Sequence, residues 1–362
     1  MRLNVLYITT SLACLVLVQP KPASADSKAP FPQLSGDMVV ELQNEHGVES
    51  SSDTNHRNNL FLRTEVAPEL RFNNRFYIDG VAELEPVNDP DPGKDAWFEQ
   101  TGIFIEEIKL NYELGQWSVK AGKYNPDFGI AWDFGRGIFG EDFAEDYEIT
   151  EKIGFGGAYN IETSGHGSHE ITASTFFTDT TFLAESIGTG RGTVSKSDGG
   201  ASNTENFSSF AISLNGVDIG GIKNLYYKVG YRHLGEDDIG GETETGWALT
   251  LGHRYDLIPN LNGDILVEYA DISNFEGGAN DNSYFTASLV TTMYENWNIT
   301  AAYTARDIQV PGDRDLNDYL FQLTGGYDFQ NGLTLEGGWK TTRESEEEDN
   351  ILGLLARYTF SF

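Results

Sequence analysis

Residues 107–114, Glu107-Ile108-Lys109-Leu110-Asn111-Tyr112-Glu113-Leu114, place an apolar side chain at every second position and a charged or amide side chain between them. Successive side chains of an extended strand point to opposite faces, so this octet has one apolar and one wet face. The period recurs along the chain. Leu60, Leu62, Thr64 and Val66 alternate with Phe61, Arg63 and Glu65, and Phe76, Ile78, Gly80, Ala82 and Leu84 with Asp79, Glu83 and Glu85. Leu225, Tyr227, Val229 and Tyr231 alternate with Lys228 and Arg232, and Trp247, Leu249 and Leu251 with Thr250 and Arg254. From Asp37 onward the chain reads as half-buried strands of about ten residues each.

The links between these strands are of two kinds. Short ones fall at 73–75, 115–116, 163–168, 220–224, 258–263, 296–297 and 331–332. The last is Asn331-Gly332, a strong hairpin signal. Longer polar ones fall at 46–58, 88–102, 127–150, 185–207, 238–246, 278–282, 311–318 and 344–350. Seven short and eight long links, in alternation, join 16 strands. Short turns on one rim and long loops on the other predict an all-β, 16-stranded antiparallel transmembrane β-barrel. A soluble sandwich also alternates, but no domain boundary appears, and aromatics recur near both strand ends as at membrane interfaces.

Composition bounds the setting. Arg2, the apolar run Val5–Val18 and the small residues Ala23-Ser24-Ala25 form a secretory signal peptide over residues 1–25, leaving 26–362 as the barrel. A lipoprotein signal at Cys14 is disfavoured by Ser11-Leu12-Ala13 before it. Cleavage removes two bases, Arg2 and Lys21, and no acid, so the net charge moves from −32 to −34. It also removes Cys14, the only cysteine, so no disulfide holds the mature chain. So acidic a protein makes nucleic acid an unsuitable partner and cations suitable ones. A mean hydropathy of −0.38 suits a soluble protein by the usual test, but alternating barrel strands average out in that test.

The final residues are the most specific. Counted back from the end, Phe362, Phe360, Tyr358, Ala356 and Leu354 share one face. A terminal Phe with aromatics two and four residues before it resembles the assembly signal of bacterial outer-membrane barrels, which implies the barrel assembly machinery as a partner. Residues 121–129, Ala-Gly-Lys-Tyr-Asn-Pro-Asp-Phe-Gly, are similar to the strand-to-loop passage of Gram-negative porins of the general diffusion and phosphate-selective kinds. That resemblance implies an outer-membrane location, a homotrimer, and a third long loop folded into the lumen to narrow it. Residues 127–150 hold the third position.

The chemistry of such a pore follows from its residues. The 127–150 segment carries Asp127, Asp133, Glu141, Asp142, Glu145, Asp146 and Glu148. A loop this long in a regular repeat is functional or disordered, and its aromatics argue for packing. Carboxylates in a narrow, low-dielectric passage concentrate cations. By alternation Arg63, Arg71, Lys109 and Lys120 face inward as a basic wall, with Lys228, Arg232, Arg254 and Lys340 further round. Each could instead pair with a neighbouring lumen acid such as Glu65, Glu69 or Glu107. The expected function is passive diffusion of small hydrophilic solutes and ions with a preference for cations. The net charge departs from the dense basic ladder of phosphate-selective porins.

Two alternatives remain at this level. One is a substrate-selective uptake channel; a receptor driven by active transport would carry a plug domain, and none precedes Asp37. The other is an outer-membrane hydrolase, whose clue is His166-Gly167-Ser168, although glycine and serine are ordinary turn residues there. His46, His56, His169, His233 and His253 have no obvious catalytic partners, so no enzyme activity is expected. The acid-rich segments 89–95, 313–318 and 344–349 lack the full spacing of a calcium loop, so no metal or cofactor is expected. At the outer rim such segments suit divalent bridging to lipopolysaccharide and contact with outer-membrane lipid.

Overall fold

The computed structural model describes residues 30–51, 55–134, 137–140, 142–192 and 194–362. The signal segment, the Cys14 lipoprotein alternative and Glu141 lie outside the described residues. Sixteen long strands follow one another. The first eight are β1 (Gln33–Ser50), β2 (Asn58–Arg71), β3 (Phe76–Pro86), β4 (Thr101–Leu114), β5 (Trp117–Tyr124), β6 (Lys152–Thr163), β7 (Gly167–Thr178) and β8 (Ser209–Val217). The second eight are β9 (Leu225–Leu234), β10 (Glu244–Ile258), β11 (Leu261–Ser273), β12 (Asp281–Met293), β13 (Trp297–Gln309), β14 (Leu316–Asp328), β15 (Leu333–Glu344) and β16 (Glu347–Ser361). Each pairs antiparallel with its sequence neighbour, and β1 closes the sheet on β16 from Asp37↔Ser361 to Ser50↔Asp349. Two-residue strands, Ala96–Trp97 and Ile187–Gly188, add to the edges of β2 and β4. Closure leaves no open edge, so every ladder group along the wall can find a backbone partner.

The two faces of the wall differ as the alternation requires. On β10, Trp247, Leu249 and Leu251 are each more than half exposed, whereas Ala248 and Thr250 between them are buried. On β11, Ile265, Val267 and Tyr269 are likewise exposed, whereas Leu266, Glu268 and Ala270 are buried. An apolar outer surface of this extent would be costly in water and is stable against acyl chains. Trp117 and Trp297 begin strands at the short-turn rim, and Trp97 and Trp247 lie at the opposite rim, all exposed as interfacial aromatics are. Among the described residues no helix is long and apolar enough to cross a membrane, which says nothing about crossing by strands.

The strand count and the alternation of connections agree with the sequence reading, with one correction. The polar stretch 344–350 is not a long loop: β15 runs to Glu344, β16 starts at Glu347, and their ladder reaches Glu344↔Glu347. Ser345 and Glu346 take positive φ of 51° and 73°, the handedness a two-residue hairpin turn needs. Charged residues read as loop because they are solvated, but a hairpin standing clear of the membrane is solvated too. At the end of β16, Tyr358, Phe360 and Phe362 are exposed together on the outer face. Phe362 is also fixed by its backbone, its N–H donating to Gly36 O at 2.9 Å and its O accepting from Gly36 N–H at 3.0 Å.

Candidate functional site

The long connection between β5 and β6 begins and ends on one side chain. Asn125 Nδ2 donates to Glu106 Oε1 at 2.8 Å and to Glu148 Oε1 at 3.2 Å, while its Oδ1 accepts the Glu151 N–H at 2.8 Å. Its own backbone N–H donates to Glu107 Oε1 at 2.8 Å. An amide that donates and accepts can staple two strands of chain that a carboxylate or ammonium could not. Between the stapled ends lie two short helices, α1 (Ala131–Phe134) and α2 (Asp142–Glu145).

The segment is anchored to the wall by Glu268 on β11, which is almost completely buried. Its Oε2 accepts the Ile130 N–H at 2.9 Å and the Thr250 hydroxyl at 2.5 Å. Its Oε1 accepts the Ala131 N–H at 3.1 Å and the Tyr147 hydroxyl at 2.7 Å. The Ile130 and Ala131 N–H groups lie at the start of α1, where a helix leaves them without internal partners. Four hydrogen bonds thus satisfy one buried carboxylate. Around it Phe128, Ile130, Trp132, Phe134, Tyr147 and Ile149 pack on Tyr226, Leu266, Ala270, Ile272 and Tyr284 of the wall. Gly230 on β9 makes room for this, since a Cβ there would run into the Phe128 backbone.

Ion pairs extend the attachment around the barrel. Asp127 pairs with Lys228 on β9 and accepts from Ser213 on β8 and, at 3.3 Å, from Thr172 on β7. Burial pushes the Asp127 carboxyl up, but the Lys228 ammonium and the Ser213 hydroxyl outweigh it and hold the group below its ordinary value. Asp142 meets Lys340 Nζ on β15 at 2.7 Å, and Asp146 meets Arg306 Nη1 on β13 at 2.7 Å. The Arg306 guanidinium also holds Asp318 and Glu344, both at 2.6 Å, and covers the Phe143 ring at 4.2 Å. Gln43 on β1 donates to Ile138 O at 3.2 Å, and Gln322 on β14 donates to Gly140 O. Tyr284 on β12 donates its hydroxyl to Asp146 at 3.3 Å, so the segment bonds to side chains of nine strands, all on the face opposite the apolar one.

The C-terminal foot of the segment is held by a second network. Glu151 takes Arg191 Nη1 and Nη2 at 2.7 and 2.5 Å and Lys123 Nζ at 2.9 Å; Lys123 also meets Asp179 at 3.0 Å. Burial acts against the charged Glu151 carboxylate, but Arg191 and Lys123 together keep its pKa lowered.

The sequence-predicted carboxylates are thus distributed. Asp127, Asp142 and Asp146 bind bases, Glu148 binds Asn125, Asp133 is exposed, and Glu145 lies half-buried on α2. The bases they meet are Lys228, Lys340 and Arg306. Arg63, Arg71, Lys109 and Lys120 lie on the polar face of β2, β4 and β5 and have local company there. Arg63 Nε is 3.8 Å from Glu85, Arg71 Nε is 2.6 Å from Glu69, Lys109 pairs with Glu107, and Lys120 Nζ lies 4.4 Å from the Tyr124 ring centre. Glu268, Arg306 and Asn125 were missed by sequence reasoning. Asn125 lay inside the quoted 121–129 stretch, and only its ability to donate and accept at once marked it. In the hydrolase alternative, the Ser168 hydroxyl donates to Glu162 at 2.8 Å and not to an imidazole.

Structural comparison places this architecture. The outer membrane channel DcaP of Acinetobacter baumannii superposes with a TM-score of 0.57 at 12% identity, covering 92% of this chain and 99% of that one. The chain has the fold of the Gram-negative outer-membrane channels. Pseudomonas putida OprB is similarly related, with a TM-score of 0.57 at 12% identity over 91% of this chain and 94% of that one. OmpT, an outer membrane protein of Vibrio cholerae seen in trimer form, gives 0.53 at 12% over 91% and 99%. No family model and no curated protein matches the chain.

Proposed function

We propose that the protein is a passive outer-membrane channel for small hydrophilic solutes and ions, preferring cations, whose passage is narrowed by residues 127–150. One observation carries this reading: the segment bonds to polar-face side chains of nine strands of a closed barrel whose other face is apolar. A barrel of 16 strands encloses an aqueous lumen, and a structured loop held on its inner wall leaves a smaller opening. Cation preference follows from the excess of acids over bases on the same face, as in other pores with acidic rings. Arg63, Arg71, Lys109 and Lys120 supply positive charge on the wall, and with the segment's carboxylates they set up a field across the passage. Assembly as a homotrimer through the aromatic outer face, export by the 1–25 signal, insertion by the barrel assembly machinery and contact with lipopolysaccharide belong to the same proposal.

Planar-bilayer recording of the purified protein tests it. Discrete conductance steps and a reversal potential of cation sign in a salt gradient are expected. Absence of steps removes the channel, and a potential of anion sign removes the selectivity. Neutralising Glu141, Asp142, Glu145 and Asp146 together should reduce the cation preference; an unchanged potential would put the segment outside the conduction path.

A further inference from the structure

The barrel wall has a break that consecutive strands do not fill. β5 pairs with β4 only from Ile108↔Lys123 to Leu114↔Trp117, so residues 101–107 of β4 rise beyond the end of β5. β6 starts at Lys152, opposite Tyr124 and Thr178, and β7 ends at the same level. An unpaired edge facing lipid would leave backbone N–H and C=O groups unsatisfied and open the lumen to the side. Residues 179–192, from the connection between β7 and β8, come back across the break. Ile187 and Gly188 pair with Ile103 and Gly102, the Thr189 N–H donates to Thr101 O at 3.1 Å, and Asn88 Nδ2 donates to Gly190 O at 3.3 Å. Ile187 lies directly opposite Ile103, and both are exposed, so this panel continues the apolar outer face.

So short a ladder does not hold a panel by itself. Lys123 supplies the lock. Trp117, Val119, Ala121 and Lys123 share the outward row of β5, and Lys123 stands opposite Ile108, which is exposed. By alternation its ammonium belongs to the lipid side, where a charge is costly. Yet Lys123 is only 1% exposed. Its Nζ reaches Leu183 O at 2.8 Å, Glu151 at 2.9 Å and Asp179 at 3.0 Å, so the panel covers the charge and two carboxylates balance it. Arg191 holds the panel's other end. Its Nε donates to Ala184 O at 2.8 Å, its Nη2 meets Glu151 at 2.5 Å, and its guanidinium covers the Phe104 ring of β4 at 3.9 Å. Because the Glu151 N–H also donates to Asn125 Oδ1, the panel and the 127–150 segment share one anchor.

We propose that residues 179–192 are a panel that seals the barrel wall against lipid where β5 and β6 stop, with Lys123 and Arg191 as its positioning residues. This rests on the channel reading, since a side opening matters to a wall that insulates a lumen. The experiment is thiol labelling of the full chain in phospholipid vesicles, run beside bilayer recording of the same preparations. Cys14 is the chain's only cysteine, so in a Cys14→Ala background a single Ala184→Cys reports on the panel, where Ala184 is buried. A second reporter, Ala248→Cys, stands at a buried position on β10. Lys123→Met and Arg191→Gln should each speed the reaction of Ala184→Cys with N-ethylmaleimide by about tenfold or more, with Ala248→Cys little changed. Lys123→Arg, which keeps the charge, should leave Ala184→Cys as slow as in the intact panel. Heat-dependent migration on gels checks that each barrel is folded. Unchanged labelling of Ala184→Cys in both variants, or an equal rise at Ala248→Cys, overturns the panel even if conductance persists. Faster labelling confined to Ala184→Cys, in a protein that shows no conductance steps, upholds the panel and removes the channel.

Discussion

Tyr147 donates its hydroxyl to Glu268 Oε1 at 2.7 Å, joining the end of the 127–150 segment to the carboxylate that holds its beginning. Because Glu268 also accepts the Ile130 and Ala131 N–H groups, one side chain fixes both arms of the segment. Glu268→Ala would leave buried donors without an acceptor, at a cost of about 1–3 kcal/mol each. Faster hydrogen exchange at Ile130 and Ala131, with the strand amides unchanged, is the expected result. Unchanged exchange would show that apolar packing alone holds the segment.

The Arg306 guanidinium binds three carboxylates, Asp146, Asp318 and Glu344. Arg306→Gln removes the one cation and leaves three acids close together, so cation preference should rise as the segment loosens near α2. Reversal potentials in a salt gradient measure this. An unchanged reversal potential would mean that Arg306 lies away from the conduction path.

Removing the close approach at Gly230 should act in the same direction by a different cause. Gly230→Val places side-chain atoms where the Phe128 backbone runs, so the segment must move off the wall or the barrel must give. Single-channel conductance should change, with thermal stability lowered by about 1–3 kcal/mol. An unaltered conductance would show that the segment does not narrow the passage.

Asp127 and Glu151, at the two feet of the segment, both have lowered pKa values, so the sign of their pH dependence is fixed. Their ion pairs stabilise the folded state fully above the unfolded carboxylate values near pH 4, and this is lost as pH falls through the lower folded values. Conductance should be constant from about pH 7 to 5 and become noisier or larger on acidification below about pH 4. Asp127→Asn, which cannot keep the charge pair with Lys228, should show the low-pH behaviour at neutral pH. A flat record down to pH 3 would contradict the assignment.

The barrel was legible because its physics is local. Alternation such as Ile108-Lys109-Leu110 reports which face each residue takes, and the lengths between runs report the order of turns. The anchoring of the segment was not legible for the opposite reason. Glu268 occupies an ordinary inward position on β11, and its partners Ile130 and Tyr147 are far away in sequence. Nothing near Glu268 distinguishes it from Glu336 or Glu244. The facing bases were read first from β2, β4 and β5, whereas those that meet the segment lie on β9, β13 and β15; Lys228 and Lys340 belonged to the wider inward set, and Arg306 did not. Alternation gives a side chain's face but not its height or azimuth in a closed wall.

The seam between β1 and β16 joins residues separated by almost the whole chain, as in Asp37↔Ser361. Hairpins can form early and locally, but this ladder must wait until the other strands stand in order, because its loop-closure entropy is recovered only then. Circular closure is therefore the late, concerted event of folding, and a defect at Tyr358, Phe360 or Phe362 would delay every strand at once. The permeability barrier of the membrane is protected by this dependence, since a half-built sheet has no ring through which solutes could leak.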